Sequence, residues 1–232
     1  MRIIKAILDF FFPRYCVMCG NRLELEEWTI CLHCNFDLPR TFLWKSPTDN
    51  DLAKRFWGKI PVEKAAAYLD YYSQSLTANI VYAFKYQGEP YTATYMGEMM
   101  AKEIDSEFFD GIDCLIPVPI SSRRMRKRKY NQSEKLAQGI QSVLHIPIHS
   151  DIVKKNKDNM SQTLLDKFER PENIEQTFKL TKHAHKIAGK HCLIIDDVIT
   201  TGATTIGCAR QVLKIPETKV SILSLAWVKN KK

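Results

Sequence analysis

The residues with the clearest chemistry lie in one run, Cys192-Leu193-Ile194-Ile195-Asp196-Asp197-Val198-Ile199-Thr200-Thr201-Gly202-Ala203-Thr204. Its apolar start describes a buried strand, and two carboxylates follow where that strand is expected to end. Open α/β sheets bind ligands at that end. The turn that comes next contains threonines and a glycine and opens a helix. Gly202 permits a positive φ and close backbone approach. Free N–H groups at a helix start wrap a phosphate, helped by the helix dipole. The hydroxyls of Thr200, Thr201 and Thr204 add donors. Carboxylates repel phosphate but accept from sugar hydroxyls or hold a bridging Mg²⁺. A sugar phosphate satisfies both halves of the run.

Four of the seven cysteines, Cys16, Cys19, Cys31 and Cys34, read C-x2-C, eleven residues, C-x2-C. A two-residue gap lets a tight turn present both sulfurs to one tetrahedral Zn²⁺. Such a module lacks a large core, so the metal supplies much of its folding free energy. Two disulfides or a redox C-x2-C are the competing readings. Isolated cysteines elsewhere (Cys114, Cys192, Cys208) in a long globular chain suit a cytoplasmic protein better than a secreted one. His33 lies inside the second knuckle, although four thiolates already complete a site. Tyr15 and Phe36 flank the cluster and are expected to pack on it.

A third feature is Arg123, Arg124, Arg126, Lys127, Arg128 and Lys129, six cations in seven residues without an acid. Without them the net charge of +8 falls to +2. Three readings stand side by side: a solvated loop, a mobile loop that closes over pyrophosphate and excludes water, and a track for a nucleic-acid backbone. Tyr82, Tyr86, Tyr91, Tyr95 and Tyr130 offer base-stacking surfaces, but tyrosines at helical spacing more commonly pack inside.

The elements that must position these residues follow from periodicity. Ala65 to Tyr72, Ile146 to Val153, His191 to Ile199 and Val220 to Val228 read as strands, and Cys114 to Ile120 is a short apolar run broken by prolines. Helical spacing joins Leu76, Ile80, Ala83 and Phe84; Met96, Met100 and Ile104; Leu136, Ile140, Val143 and Leu144; and Ile206, Ala209 and Leu213. Asn131 with Glu134 resembles a helix cap. Residues 154 to 186 are polar and carry no clear period. Strands alternating with helices predict a mostly parallel sheet covered on both faces. Ile3, Ile4, Ile7, Leu8 and Phe11 share one helical face, so the start reads as an amphipathic helix packed on the body rather than a signal peptide. Residues 1–38 form the metal module, 39–60 an ordered linker and 61–232 the main domain. A chain of 232 residues with 45% hydrophobic and 26% charged residues is globular. No apolar run approaches the roughly 20 residues of a membrane helix.

The run from Cys192 to Thr204 resembles the phosphoribosyl pyrophosphate (PRPP) signature of type I phosphoribosyltransferases. The four-cysteine start, Phe84-Lys85-Tyr86-Gln87-Gly88, Ile116-Pro117-Val118-Pro119-Ile120, Tyr130-Asn131-Gln132 and that signature, in this order, resemble the ComF family of late-competence proteins. Gln162, Leu165, Arg170 and Asn173 match a middle segment usual in that family. At the family's Arg-Gly-Phe-Asn-Gln segment this chain has Arg128-Lys129-Tyr130-Asn131-Gln132, so Lys129 stands where a glycine would permit an unusual backbone angle.

The resemblance implies a type I phosphoribosyltransferase-like α/β domain behind an N-terminal zinc module. It implies that Asp196 and Asp197 contact ribose as the catalytic pair and that residues 198–204 bind the 5′-phosphate, through Val198, Ile199, Thr200, Thr201, Gly202, Ala203 and Thr204. It further implies that Pro117, Val118, Pro119 and Ser121, with Arg123, Arg124 and Arg128, serve pyrophosphate, with Mg²⁺ accompanying PRPP. Two functions follow from it. One is a cytoplasmic role in DNA uptake, with single-stranded DNA and a helicase as partners. The other is transfer of ribose 5-phosphate from PRPP to a nitrogenous acceptor, with release of pyrophosphate. The six histidines form no catalytic constellation.

Overall fold

The structure is a computed structural model that describes residues 9–73, 75–156 and 177–229. Ile3, Ile4, Ile7 and Leu8, the middle segment with Gln162, Leu165, Arg170 and Asn173, and the terminal Lys231 and Lys232 lie outside the described residues.

The apolar run before the acids becomes β5 (His191–Ile199), with Cys192 to Ile195 fully buried. It sits between β6 (Lys219–Trp227) and β2 (Cys114–Pro117), and β1 (Ala65–Asp70) flanks β6. All three pairings are parallel. Both faces of such strands are covered, which explains their continuous apolar sequence. The strand expected over Ile146 to Val153 does not form as one element. Ile148 makes one parallel bridge to Leu115 beyond the edge of β2. In the polar region without a clear period, β3 (Val153–Lys155) and β4 (Phe178–Leu180) form an antiparallel pair.

Alternate strand residues face opposite layers. Leu193, Ile195, Leu223 and Tyr68 meet α2 (Leu76–Tyr86), α3 (Pro90–Glu103) and α6 (Gln132–Leu144). Ile194, Ile222, Cys114 and Ile116 meet α7 (Ala203–Val212) and Phe178. Thus the sheet has helices on both faces, as its alternating pattern predicts. Three short helices also lie among the described residues: α1 (Leu32–Phe36), α4 (Ser106–Phe109) and α5 (Ser122–Arg128).

Helices α3 and α6 cross at glycines. A Cβ on Gly139 would lie 2.0 Å from the Thr94 carbonyl oxygen, and one on Gly97 2.1 Å from that of Leu136. Only the missing side chains let the two backbones touch.

The stretch 39–60, read as a linker, enters the second core layer through Leu52 and Phe56, both fully buried. The Asn50 amide ties it down: its Nδ2 donates to the Ala65 carbonyl at 2.8 Å, and its Oδ1 accepts from the Ala53 amide at 2.8 Å. The sequence pattern puts Phe11 on the packed face of the first helix, but the described end of that helix leaves it exposed. Asp9 is the buried residue there, paired with Arg14 at 2.9 Å.

Candidate functional site

Strands β2 and β5 stay paired as far as Pro117 and Ile195, and the Val118 amide donates to the Ile195 carbonyl at 2.9 Å. Beyond this point β5 continues to Ile199 against β6 alone. The acids therefore sit inside β5, where it loses one neighbour, rather than after its end. From β2 the chain passes through α5 and α6 toward the outer edge at Ile148. From β5 it passes through α7, on the other face, to β6. A crevice forms where two adjacent strands send their connections in opposite directions, and ligands bind there.

As neighbours in a strand, Asp196 and Asp197 point to opposite faces. Asp196 is buried and accepts from the Thr205 hydroxyl of α7 at 2.7 Å. Burial, reinforced by the Asp197 charge, pushes its carboxyl up to about 7. Asp197 remains partly open and ion-pairs with Lys85 of α2 at 2.9 Å. Lys85 belongs to the Phe84–Gly88 segment, but sequence reasoning gave it no site role. Thr205, one residue past the run, was also missed. Its signal was helical position, which places it under the strand rather than in the turn.

Gly202 caps α7 with φ at 82°. Thr200, Thr201 and Thr204 are exposed around this turn, whereas Val198 is half-buried and Ile199 buried. The Ala203 amide reaches the Thr201 hydroxyl at 3.4 Å. Arg55, from the 39–60 stretch, braces the turn. It donates to the Thr200 carbonyl, bonds the Val228 carbonyl at 2.8 Å and lies over the Trp227 ring.

The basic run is helical, not a loop. Ser121 caps α5 by accepting from the Arg124 amide at 3.3 Å. Arg126, Lys127 and Arg128 fall in the last turn, where the helix dipole favours cations. Lys129 then adopts φ 65°, the left-handed conformation that a glycine would take without strain. Asn131 caps α6 and donates to the Val118 carbonyl at 3.0 Å, tying helix to loop. Glu134 does not complete a capping box; it accepts from Ser150 at 2.8 Å. Pro119, Ile120 and Arg126 open on a cavity of about 840 Å³ shared with Lys154 and Lys179. Lys85 and Arg128 line another, of about 530 Å³, on the α2 side. Arg123 and Arg124 are exposed.

At the other pole, the four cysteine sulfurs lie within 4.8 Å of one another and form no disulfide. The Cys19 and Cys31 sulfurs are 3.8 Å apart. That is about the edge of a tetrahedron with 2.3 Å Zn–S bonds, so the donor set fits zinc. Burial opposes ionisation of Cys16, but backbone N–H groups of Cys19, Cys31 and Met18 prevail and lower its thiol to about 7. His33 stays outside, 3.5 Å from Asp37. Tyr15 and Phe36 do not pack on the cluster: they are 58% and 87% exposed. The cluster docks on the body instead, through Asn79 of α2 to the Met18 carbonyl at 2.8 Å. Arg40 joins the Asn35 carbonyl at 2.7 Å to Glu103 at 2.6 Å.

No protein-family model matches the chain. It is 24% identical over 213 residues to the DNA utilization protein YhgH of Escherichia coli (strain K12), spanning 87% of this chain and 92% of that protein. It is 23% identical over 234 residues to Competence protein F of Haemophilus influenzae, spanning 93% of this chain and 98% of that protein. The chain is a homologue of these proteins. Among solved structures, a hypothetical protein from Neisseria gonorrhoeae with bound ppGpp matches at TM-score 0.37 and 18% identity, over 61% of this chain and 72% of that one. Adenine phosphoribosyltransferase from Saccharomyces cerevisiae matches at TM-score 0.36 and 16% identity, over 62% and 72%. Among the described residues no helix is long and apolar enough to cross a membrane.

Proposed function

We propose that this protein binds a PRPP-type sugar phosphate in the crevice between β2 and β5 and works in the cytoplasmic handling of DNA. The supporting observation is the glycine-capped turn at the start of α7, placed beside Asp197 where β2 leaves β5. The turn's N–H groups and the hydroxyls of Thr200, Thr201 and Thr204 hold the 5′-phosphate. Asp197 accepts from ribose hydroxyls once Lys85 yields. Asp196, bonded to Thr205, holds the strand and helix at a fixed spacing. Residues 117–121 present the pyrophosphate side, with cations of α5 behind them. Mg²⁺ bound with PRPP would supply charge neutralisation at the pyrophosphate. The names of the homologues support the connection to DNA. Cys16, Cys19, Cys31 and Cys34 would hold a zinc ion that joins the two knuckles.

Calorimetry tests the ligand. Wild-type protein binds PRPP with Mg²⁺, and Asp196→Asn plus Asp197→Asn does not. Absence of wild-type binding refutes the ligand assignment. A transferase reaction is the second reading, favoured by a carboxylate at 2.9 Å from a lysine beside a cationic helix. There Asp197 faces the oxocarbenium charge that develops at ribose, and the cations favour departing pyrophosphate. Pyrophosphate release from PRPP, screened over nucleobases, amines and single-stranded DNA, decides it.

A further inference from the structure

The outward face of α2 does not follow the expectation for its tyrosines. Tyr82 and Tyr86, one helical turn apart, are 53% and 59% exposed, and Tyr91 is 80% exposed. The Tyr82 and Tyr86 rings pair at 5.3 Å between centroids. Large aromatic rings gain most by burial, so a pair left in water on one helix is unpartnered surface. Tyr130 is half-buried, its hydroxyl donating to the Phe84 carbonyl.

Beside these rings the surface is cationic. The 530 Å³ cleft is bounded by Tyr86, Lys85, Lys127, Arg128, Lys129 and Tyr130, and among the described residues no carboxylate lines it. The Arg128 guanidinium lies over the Tyr86 ring at 5.5 Å and bonds Gln132 at 3.1 Å, so it is already fixed in place. Lys127 and Lys129 are exposed. Aromatic faces in a row next to a cationic groove suit a chain of bases on a phosphate backbone. A duplex hides its base faces and leaves the rings idle. A free mononucleotide uses one ring and one phosphate site.

We propose that the α2–α5 face is a binding track for single-stranded nucleic acid, with bases on Tyr82 and Tyr86 and backbone phosphates on Lys127 and Lys129. The proposal rests on the DNA-handling reading above and names the surface that carries it. The track leads through Lys85, ion-paired at 2.9 Å to Asp197, to the edge of the sugar-phosphate crevice. A strand on the track therefore brings a base toward that crevice.

Fluorescence anisotropy with a labelled single-stranded oligonucleotide, its duplex and a mononucleotide competitor tests this. The wild type prefers the single strand over both. Tyr82→Leu plus Tyr86→Leu weakens binding by on the order of tenfold or more per ring. Lys127→Gln plus Lys129→Gln reduces the log–log salt slope by about 0.7 for each phosphate no longer neutralised. Lys214→Gln plus Lys219→Gln, with the same charge removed elsewhere, leaves the tyrosine-dependent preference for single strands intact. Because the altered side chains are exposed, unchanged melting curves certify the fold. Oligonucleotide binding that is unchanged in both track variants overturns this surface and leaves the DNA reading standing. Equal affinity for duplex or mononucleotide overturns the single-strand assignment. No oligonucleotide binding by wild type at low salt overturns the DNA reading itself.

Discussion

Adding one methyl group where α3 crosses α6 tests how tightly the fold holds its site. In Gly139→Ala the new Cβ would lie 2.0 Å from the Thr94 carbonyl oxygen and 2.7 Å from the Glu98 amide nitrogen. Ordinary contact begins at 3.4 Å, and both obstructing atoms are backbone, so neither swings aside. The helices must separate, at about 3 kcal/mol, the upper end of the usual range for overpacking. Alanine returns about 1 kcal/mol of helix propensity. The net loss is about 2 kcal/mol, or about 4–8 °C in melting temperature for a chain of this size. The opposite sign is expected wherever a helical glycine faces open space, so the direction alone is diagnostic. Urea unfolding at fixed zinc concentration measures it. Gly97→Ala plus Gly139→Ala should cost less than the sum of the singles, because the first substitution already parts the helices. The site should respond too, since Asn131 at the head of α6 holds the Val118 carbonyl at 3.0 Å. PRPP affinity should therefore fall with stability. A Gly139→Ala protein as stable as wild type refutes the close crossing.

Other outcomes follow from single residues. Lys129 occupies the left-handed region at φ 65°, where a side chain costs about 1–2 kcal/mol. Lys129→Gly should raise stability by about 0.5–1 kcal/mol after the added unfolded-state entropy, with Lys129→Ala giving no gain in the same thermal melts. Elemental analysis should find one zinc per chain and none in Cys16→Ser plus Cys31→Ser, and a disulfide-linked mass would contradict this. Burial lowers the His191 pKa below 6.5; Lys64 and Lys219 lower it further, while Glu63 and Asp113 oppose them. Unfolded chains then take up the proton first. The stability that this imidazole contributes above about pH 6.5 is lost as the pH falls. His149, also lowered mainly by burial, adds in the same direction. Asp196, raised to about 7, acts in the opposite sense over the same range, so the test is a difference: His191→Gln, whose amide can keep the 2.9 Å hydrogen bond to Ser221, should show a more favourable change in urea midpoint than the wild type from pH 7 to 5.

Local sequence determined several parts of this protein. The buried run Cys192–Ile195 specified a central parallel strand because only apolar side chains can be covered on both faces. The C-x2-C spacing specified a shared donor cluster because a two-residue turn brings its two sulfurs together. A glycine missing from the Arg128–Gln132 segment marked a backbone angle, and Lys129 takes that angle in the glycine's place. Tertiary structure alone decided the rest. Alternation along β5 separates Asp196 from Asp197, but which layer each meets depends on α7 and α2 arriving from distant sequence. Lys85 reaches Asp197 only because the fold brings the end of α2, distant in sequence, to β5. The 39–60 stretch looked like a connection because its prolines and acids hide the period of Leu52 and Phe56. The tyrosines of α2 show helical spacing whether they face the core or water. Their exposure was settled by which side of that helix the sheet and α3 had already occupied.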